Sequence, residues 1–173
     1  MAKTQERREL INSARPPEKQ PRKSRGRPKV NDDEALGQQV VQVALKLFLE
    51  RHYTGTTMDL VASLCGISKR TLYALFPSKV DLFVEMTNAH RDSMLALPGN
   101  YDHLSLEDAF RAIFRVDQDD ADYQEQFCLL RLFYFEAGSH PELKAVLQEH
   151  GGLQMHKLLS DWLSDQKNKG LID

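Results

Sequence analysis

Apolar residues along this chain recur at three- and four-residue intervals, with no sustained alternation. Leu36, Val40, Val43, Ala44, Leu47 and Phe48 fall on one helical face. Asn31 with Glu34 forms a capping-box pattern ahead of that face, and the helix is predicted to stop near His52. A second cap at Thr56–Thr57 opens a short helix with Met58, Val61, Ala62 and Cys65 inward. Gly66 ends it, because glycine enters the left-handed region without steric cost. Ser68 opens another short helix through Ala74, and Pro77–Ser78 breaks the chain again. Ser78 with Asp81 caps a longer helix that runs to about Leu97. Two short helices around a tight glycine turn constitute a helix-turn-helix.

The second half reads as helical too. Ser105 with Asp108 caps a segment bearing Leu106, Ala109, Phe110, Ile113 and Phe114 on one side. Asp119 to Asp122 precede an apolar helix that ends at Gly138. Pro141 suits the first turn of another helix. Gly151–Gly152 is expected to punctuate, and Leu153 to Lys169 to form the last helix. The predicted class is all-α: an N-terminal three-helix helix-turn-helix domain followed by a helical domain.

Charge changes this picture at one end. Residues 1–31 hold ten basic and three acidic residues, a balance of +7, while the remaining 13 basic and 22 acidic residues give −9. Four of the seven prolines also lie before residue 31, so the arm buries too little apolar surface to offset its ordering entropy and is expected to be disordered when free. A basic arm on an acidic body points to a polyanion bound at one end. No apolar run reaches the ~18–20 residues of a membrane span, and MAKTQERREL lacks the apolar stretch of a secretory signal. Two cysteines, Cys65 and Cys128, make no disulfide framework, which suits a cytoplasmic setting. His140, His150 and His156 fit no metal spacing. No nucleophile motif occurs, so the sequence offers no case for an enzyme, a cofactor or a metal site.

The window from 52 to 79, HYTGTTMDLVASLCGISKRTLYALFPSK, carries the strongest signal. Its Thr56–Thr57–Met58, Val61–Ala62, Gly66–Ile67–Ser68–Lys69, Thr71–Leu72–Tyr73, Phe76 and Ser78–Lys79 resemble the DNA-binding domain of TetR/AcrR-family transcriptional regulators. The resemblance spans roughly residues 32–85. It implies backbone contacts to DNA from Thr57, Lys69, Thr71, Tyr73 and Lys79. Ser68, Lys69 and Arg70 open a recognition helix, where side chains reach base edges. Arg70, which can bond guanine O6 and N7 together, is the candidate base reader. Ala74 and Leu75 stand where relatives often have large polar or aromatic residues, which concentrates the reading on Arg70 and Lys69. His52 stands where relatives often have Gly and is expected to adopt a left-handed conformation. Arg25–Gly26–Arg27–Pro28–Lys29 is similar to an AT-hook. Arg25, Arg27 and Lys29 would then enter a narrow A·T-rich minor groove.

Residues 86–173 resemble the regulatory domain of the same family, with Arg131–Leu132, Glu136–Ala137 and Pro141–Glu142–Leu143 similar to its AefR-like subgroup. The resemblance implies a homodimer with a small-molecule effector pocket in this half. Phe110, Phe114, Phe127, Leu130, Arg131 and Tyr134 are the candidate pocket residues. Arg131 is expected to be a buried cation paired with Glu136 or a ligand acid. Family members usually continue with one or two interface helices after a Gly-Leu-Ile-Asp stretch, so the chain reads either as naturally short or as cut at Asp173. The resulting division is a basic arm (1–30), a helix-turn-helix domain (31–79) and a regulatory domain (80–173). Two functions stay open: a ligand-responsive repressor on a palindromic operator, and an effector-independent architectural DNA binder driven by the arm.

Overall fold

The computed structural model describes residues 30–172. The arm, with its AT-hook-like motif, lies outside them. The described residues form eight α-helices and one π-helical segment, with no strand among them. In chain order these are α1 (Val30–Gly55), α2 (Met58–Leu64), α3 (Lys69–Leu75), α4 (Lys79–Met94), α5 (Leu106–Ile113), α6 (Asp120–Ser139), α7 (Pro141–Val146), the π segment (Leu147–Leu153) and α8 (Gln154–Asn168). The fold is all-α, as the periodicity predicts.

Side-chain caps set most of the starts. The hydroxyls of Thr57, Ser68, Ser78 and Ser105 each accept a backbone N–H from three residues on, and the Asp119 carboxylate does the same for α6. Ser78 and Ser105 also donate to the carboxylates of Asp81 and Asp108, which fixes the caps from both sides.

Two cores hold the helices. The larger joins Val40, Ala44 and Phe48 of α1, Val61 of α2, Leu72 of α3 and Leu82, Phe83 and Met86 of α4 to Phe133 of α6 and Leu143 of α7. The rings of Phe48, Tyr53, Phe83 and Phe133 form a chain with centroids 5.2–6.2 Å apart, tilted or edge-on. The helix-turn-helix therefore shares its core with the second half. The smaller core packs Trp162 of α8 on Ile113 and Ala109 of α5 and on Leu95 and Leu97.

The structure departs from the sequence reading in three places. Gly151–Gly152 does not interrupt the chain: helical backbone continues from Pro141 to Asn168, with a π-type turn absorbing the glycines. Long-range packing of this stretch on α4 outweighs the weak helix propensity of glycine. Arg131 is exposed rather than buried, and Glu136, its expected partner, is buried against His52. Finally, α1 does not stop at His52. It kinks there, at φ 62° and ψ 175°, and makes one more turn to Gly55. This is not the left-handed helical well but a region that is essentially glycine-only.

Candidate nucleic-acid interface

The recognition turn is built by short-range caps and one glycine. Cys65 closes α2, Gly66 takes φ 66° to reverse the chain, and Ile67 N–H bonds back to Ala62 O at 3.0 Å. Ser68 then caps α3. Leu72 and Phe76, both buried, fasten α3 to α1, α2 and α4. The opposite face is left outward, and Ser68, Lys69, Arg70, Tyr73 and Ala74 are exposed on it, with Thr71 half-buried.

Each outward side chain has a distinct setting. Ser68 Oγ and Thr71 Oγ1 lie 2.8 Å apart, and Ser68 Oγ accepts Thr71 N–H at 3.0 Å. Lys69 Nζ donates to Asp59 Oδ2 of α2 at 2.6 Å, and that bond raises its pKa. Both side chains of this pair are exposed and screened by water, so a phosphate can displace Asp59. Arg70 makes no side-chain hydrogen bond or ion pair among the described residues, which leaves its guanidinium available.

Lys79, at the head of α4, has a structural task. Its ammonium donates to Tyr53 O at 2.7 Å and Thr56 O at 3.0 Å, and lies 3.9 Å from the Tyr53 ring centroid. Tyr53 lies in the last turn of α1 and Thr56 just beyond it, so Lys79 closes that terminus. Desolvation lowers its pKa, against the raising effect of Glu136 and Glu142. Two of its three donors are in use, which leaves one for a phosphate. A hollow of about 360 Å³ brings Lys79 together with Thr57, Asp59 and Tyr73.

The kink in α1 is held from the far half of the chain. His52 Nδ1 donates to Glu136 Oε1 of α6 at 2.9 Å, while Thr56 Oγ1 donates to His52 O at 2.9 Å. Tyr53 stacks edge-on against His140 at 4.8 Å, and Thr54 Oγ1 lies 3.3 Å from His140 Nε2. The two hydrogen bonds to the far half span 84 and 86 residues in sequence, so no local pattern announces them. The Asp59–Lys69 pair, ten residues apart across a turn, is equally silent.

Residues 40–86 match the family model of bacterial regulatory proteins of the tetR family. The likeness to the TetR family is shown over this segment. The helix-turn-helix described above lies wholly within it. Over 53 residues the chain is 40% identical to the HTH-type transcriptional regulator YuxN of Bacillus subtilis (strain 168), a stretch covering 31% of this chain and 18% of that protein. Over 64 residues it is 34% identical to the HTH-type transcriptional activator FasR of Mycolicibacterium smegmatis, covering 37% of this chain and 29% of that one. The chain thus matches well under half the length of these curated relatives. The solved structure of the Flavonoid-responsive Regulator FrrA aligns with 79% of this chain and 70% of its own, at 29% identity and a TM-score of 0.52. The likeness to this solved fold therefore reaches well beyond residues 40–86.

The six sequence-predicted pocket residues do not converge in one enclosed space. Phe110 and Phe114 stack on each other at 6.1 Å, and Phe110 meets Trp162 edge-on at 5.2 Å. Leu130, Arg131 and Tyr134 line an open groove of about 530 Å³ with His52 and Phe135, and Phe127 is exposed on the same helix. Cys128 is exposed, while burial pushes the half-buried Cys65 thiol up. Among the described residues no cluster of His, Cys, Asp and Glu could hold a metal ion, and no helix is long and apolar enough to cross a membrane.

Proposed function

We propose that this chain is a transcriptional regulator that reads a palindromic operator through α3 and is released from it by a small molecule. The observation that carries the DNA reading is Arg70: an exposed guanidinium without a partner among the described residues, on the first turn of a helix anchored by Leu72 and Phe76. A helix so held presents its first turn to the major groove, where a bidentate arginine distinguishes guanine. Ser68, Lys69, Thr71, Tyr73, Thr57 and the free donor of Lys79 would hold phosphates, and Arg25, Arg27 and Lys29 would follow the flanking minor groove. On this reading residues 31–79 bind DNA and residues 80–173 regulate.

Two recognition helices are needed, because one short helix reads too few base pairs. We infer a homodimer held through the second half, where Phe127, Tyr134, Phe135 and Leu153 leave apolar surface uncovered. Effector response draws support from the likeness to FrrA, which is named as flavonoid-responsive. Repression is the direction proposed here; FasR is named as an activator, and transcription in vitro with and without the protein separates the two.

Footprinting on DNA flanking this protein's own gene tests the reading. A palindromic footprint supports it, and uniform coating of A·T-rich DNA favours an architectural binder driven by the basic arm. Arg70→Ala should then cost about 1–3 kcal/mol at one base pair and relax discrimination there. Equal loss on operator and random DNA would remove Arg70 from the base-reading role.

A further inference from the structure

Asp59 is the one acidic residue between Arg51 and Val80, a stretch that also holds Lys69, Arg70 and Lys79. It stands on the first turn of α2, with its side chain 57% exposed. The start of α2 does not need its carboxylate as a cap, because Thr57 Oγ1 already accepts Leu60 N–H at 3.2 Å. Among the described residues its side chain has one hydrogen-bond partner, Lys69 Nζ at 2.6 Å, and the Lys69 ammonium has no other. That bond raises the Lys69 pKa, so the ammonium stays charged. The carboxylate also shares its hollow with Thr57, Tyr73 and Lys79, so it lies where a phosphate would approach them.

An acid in that position works against the cations around it. A lysine that meets a phosphate displaces a counterion condensed on the DNA, and this release drives binding that ignores sequence. Lys69 differs from such a lysine, because it already carries a counter-ion. When a phosphate takes its ammonium, Asp59 loses its partner and draws a cation from solution. The cation freed from the DNA is thus replaced by one held on the protein, and net release at this contact falls to about zero. An acid in the first turn of a helix also suits the helix dipole. That role bears on folding and leaves ion release untouched, so salt dependence separates the two.

We propose that Asp59 is the internal counter-ion of Lys69 and thereby limits the affinity of this surface for DNA of any sequence. This deepens the DNA reading above and rests on it in one respect, that α3 faces DNA. Discrimination is left to Arg70, whose guanidinium has no such partner among the described residues. Restraining the backbone contact lowers occupancy of the many competing sites that a chromosome offers.

The test uses the full chain and two duplexes: one from the flank of its own gene, and one of the same length and composition in scrambled order. Fluorescence anisotropy gives the affinity for each from about 0.05 to 0.3 M salt, for the unaltered chain, Asp59→Asn, Lys69→Met and the double variant. Urea midpoints confirm that each variant is folded. One further released counterion corresponds to about eightfold in affinity at 0.1 M salt and to a slope steeper by about 0.9. Asp59→Asn should therefore bind both duplexes tighter by about that factor, with the steeper slope and an unchanged ratio between the duplexes. With Lys69→Met present, the steepening should be absent. Weaker binding by Asp59→Asn, an unchanged slope, a gain confined to one duplex, or the same steepening without Lys69 would each overturn the proposal. A chain that prefers its own flank but shows no gain from Asp59→Asn refutes the role of Asp59 alone. A chain that holds both duplexes alike, yet gains on both, supports the counter-ion role and refutes operator reading. Failure of every variant to bind either duplex overturns both.

Discussion

The kink at His52 sets two energies against each other, and replacing it by glycine measures which is larger. At φ 62° and ψ 175° a non-glycine residue carries backbone strain of about 1–3 kcal/mol, which His52→Gly removes. Glycine adds unfolded-state entropy and returns about 0.5–1 kcal/mol of that gain. Against the gain stands Glu136, whose side chain is 4% exposed and whose carboxylate accepts from His52 Nδ1 at 2.9 Å. Breaking a buried pair costs about 3–5 kcal/mol, and the lower end applies because the His52 side chain is 59% exposed. The bond outweighs the strain, so His52→Gly should destabilise by about 2 kcal/mol. Glu136→Leu in the glycine background removes the orphaned carboxylate and should restore most of that loss. Glu136→Leu alone should cost under about 1 kcal/mol, since His52 can turn to water. Urea unfolding of the four proteins at neutral pH, followed by circular dichroism, gives the cycle directly. A more stable His52→Gly protein would show that strain exceeds the bond. A double variant no better than His52→Gly would show that Glu136 is not left unpaired.

Lys79→Met should lower stability by about 2 kcal/mol, because charged donors to the Tyr53 and Thr56 carbonyls are removed. An unchanged urea midpoint with weaker DNA binding would assign the ammonium to phosphate alone. Removing residues 1–29 should leave the urea midpoint in place and weaken DNA binding, with a salt slope shallower by about 0.9 for each phosphate the arm no longer neutralises. Changing flanking A·T pairs to G·C should weaken the full chain but not the shortened one, and an equal response would refute the minor-groove role. Burial lowers the pKa of His90, so the unfolded chain binds its proton more readily than the folded one. Its contribution to stability is thus retained above the ordinary histidine value of 6.5 and lost as pH falls below it. Comparing urea midpoints of the unaltered protein and His90→Phe from about pH 7.5 to 5 isolates that contribution; parallel curves would contradict the burial argument.

The helices of this protein, and the order in which they follow, were determined by local chemistry that the sequence displays. Ser68, Ser78 and Ser105 cap where their spacing says they should, and Gly66 turns where only a residue without a Cβ is free of strain. The outward face of α3 follows from Leu72 and Phe76 pointing in, so the sequence alone singles out Lys69 and Arg70. Tertiary structure decided what period and spacing do not encode. The pairing of His52 with Glu136, the seat of Lys79 on the end of α1 and the packing of the His90 ring on Phe133 all join residues from helices far apart in sequence. The same holds for Gly151–Gly152, where packing on α4 kept a helix that propensity alone would have broken. A hydrogen bond or a cap within one turn is fixed by residues three or four apart. A buried charge, a strained φ or a cavity is fixed by whatever the rest of the chain places beside it.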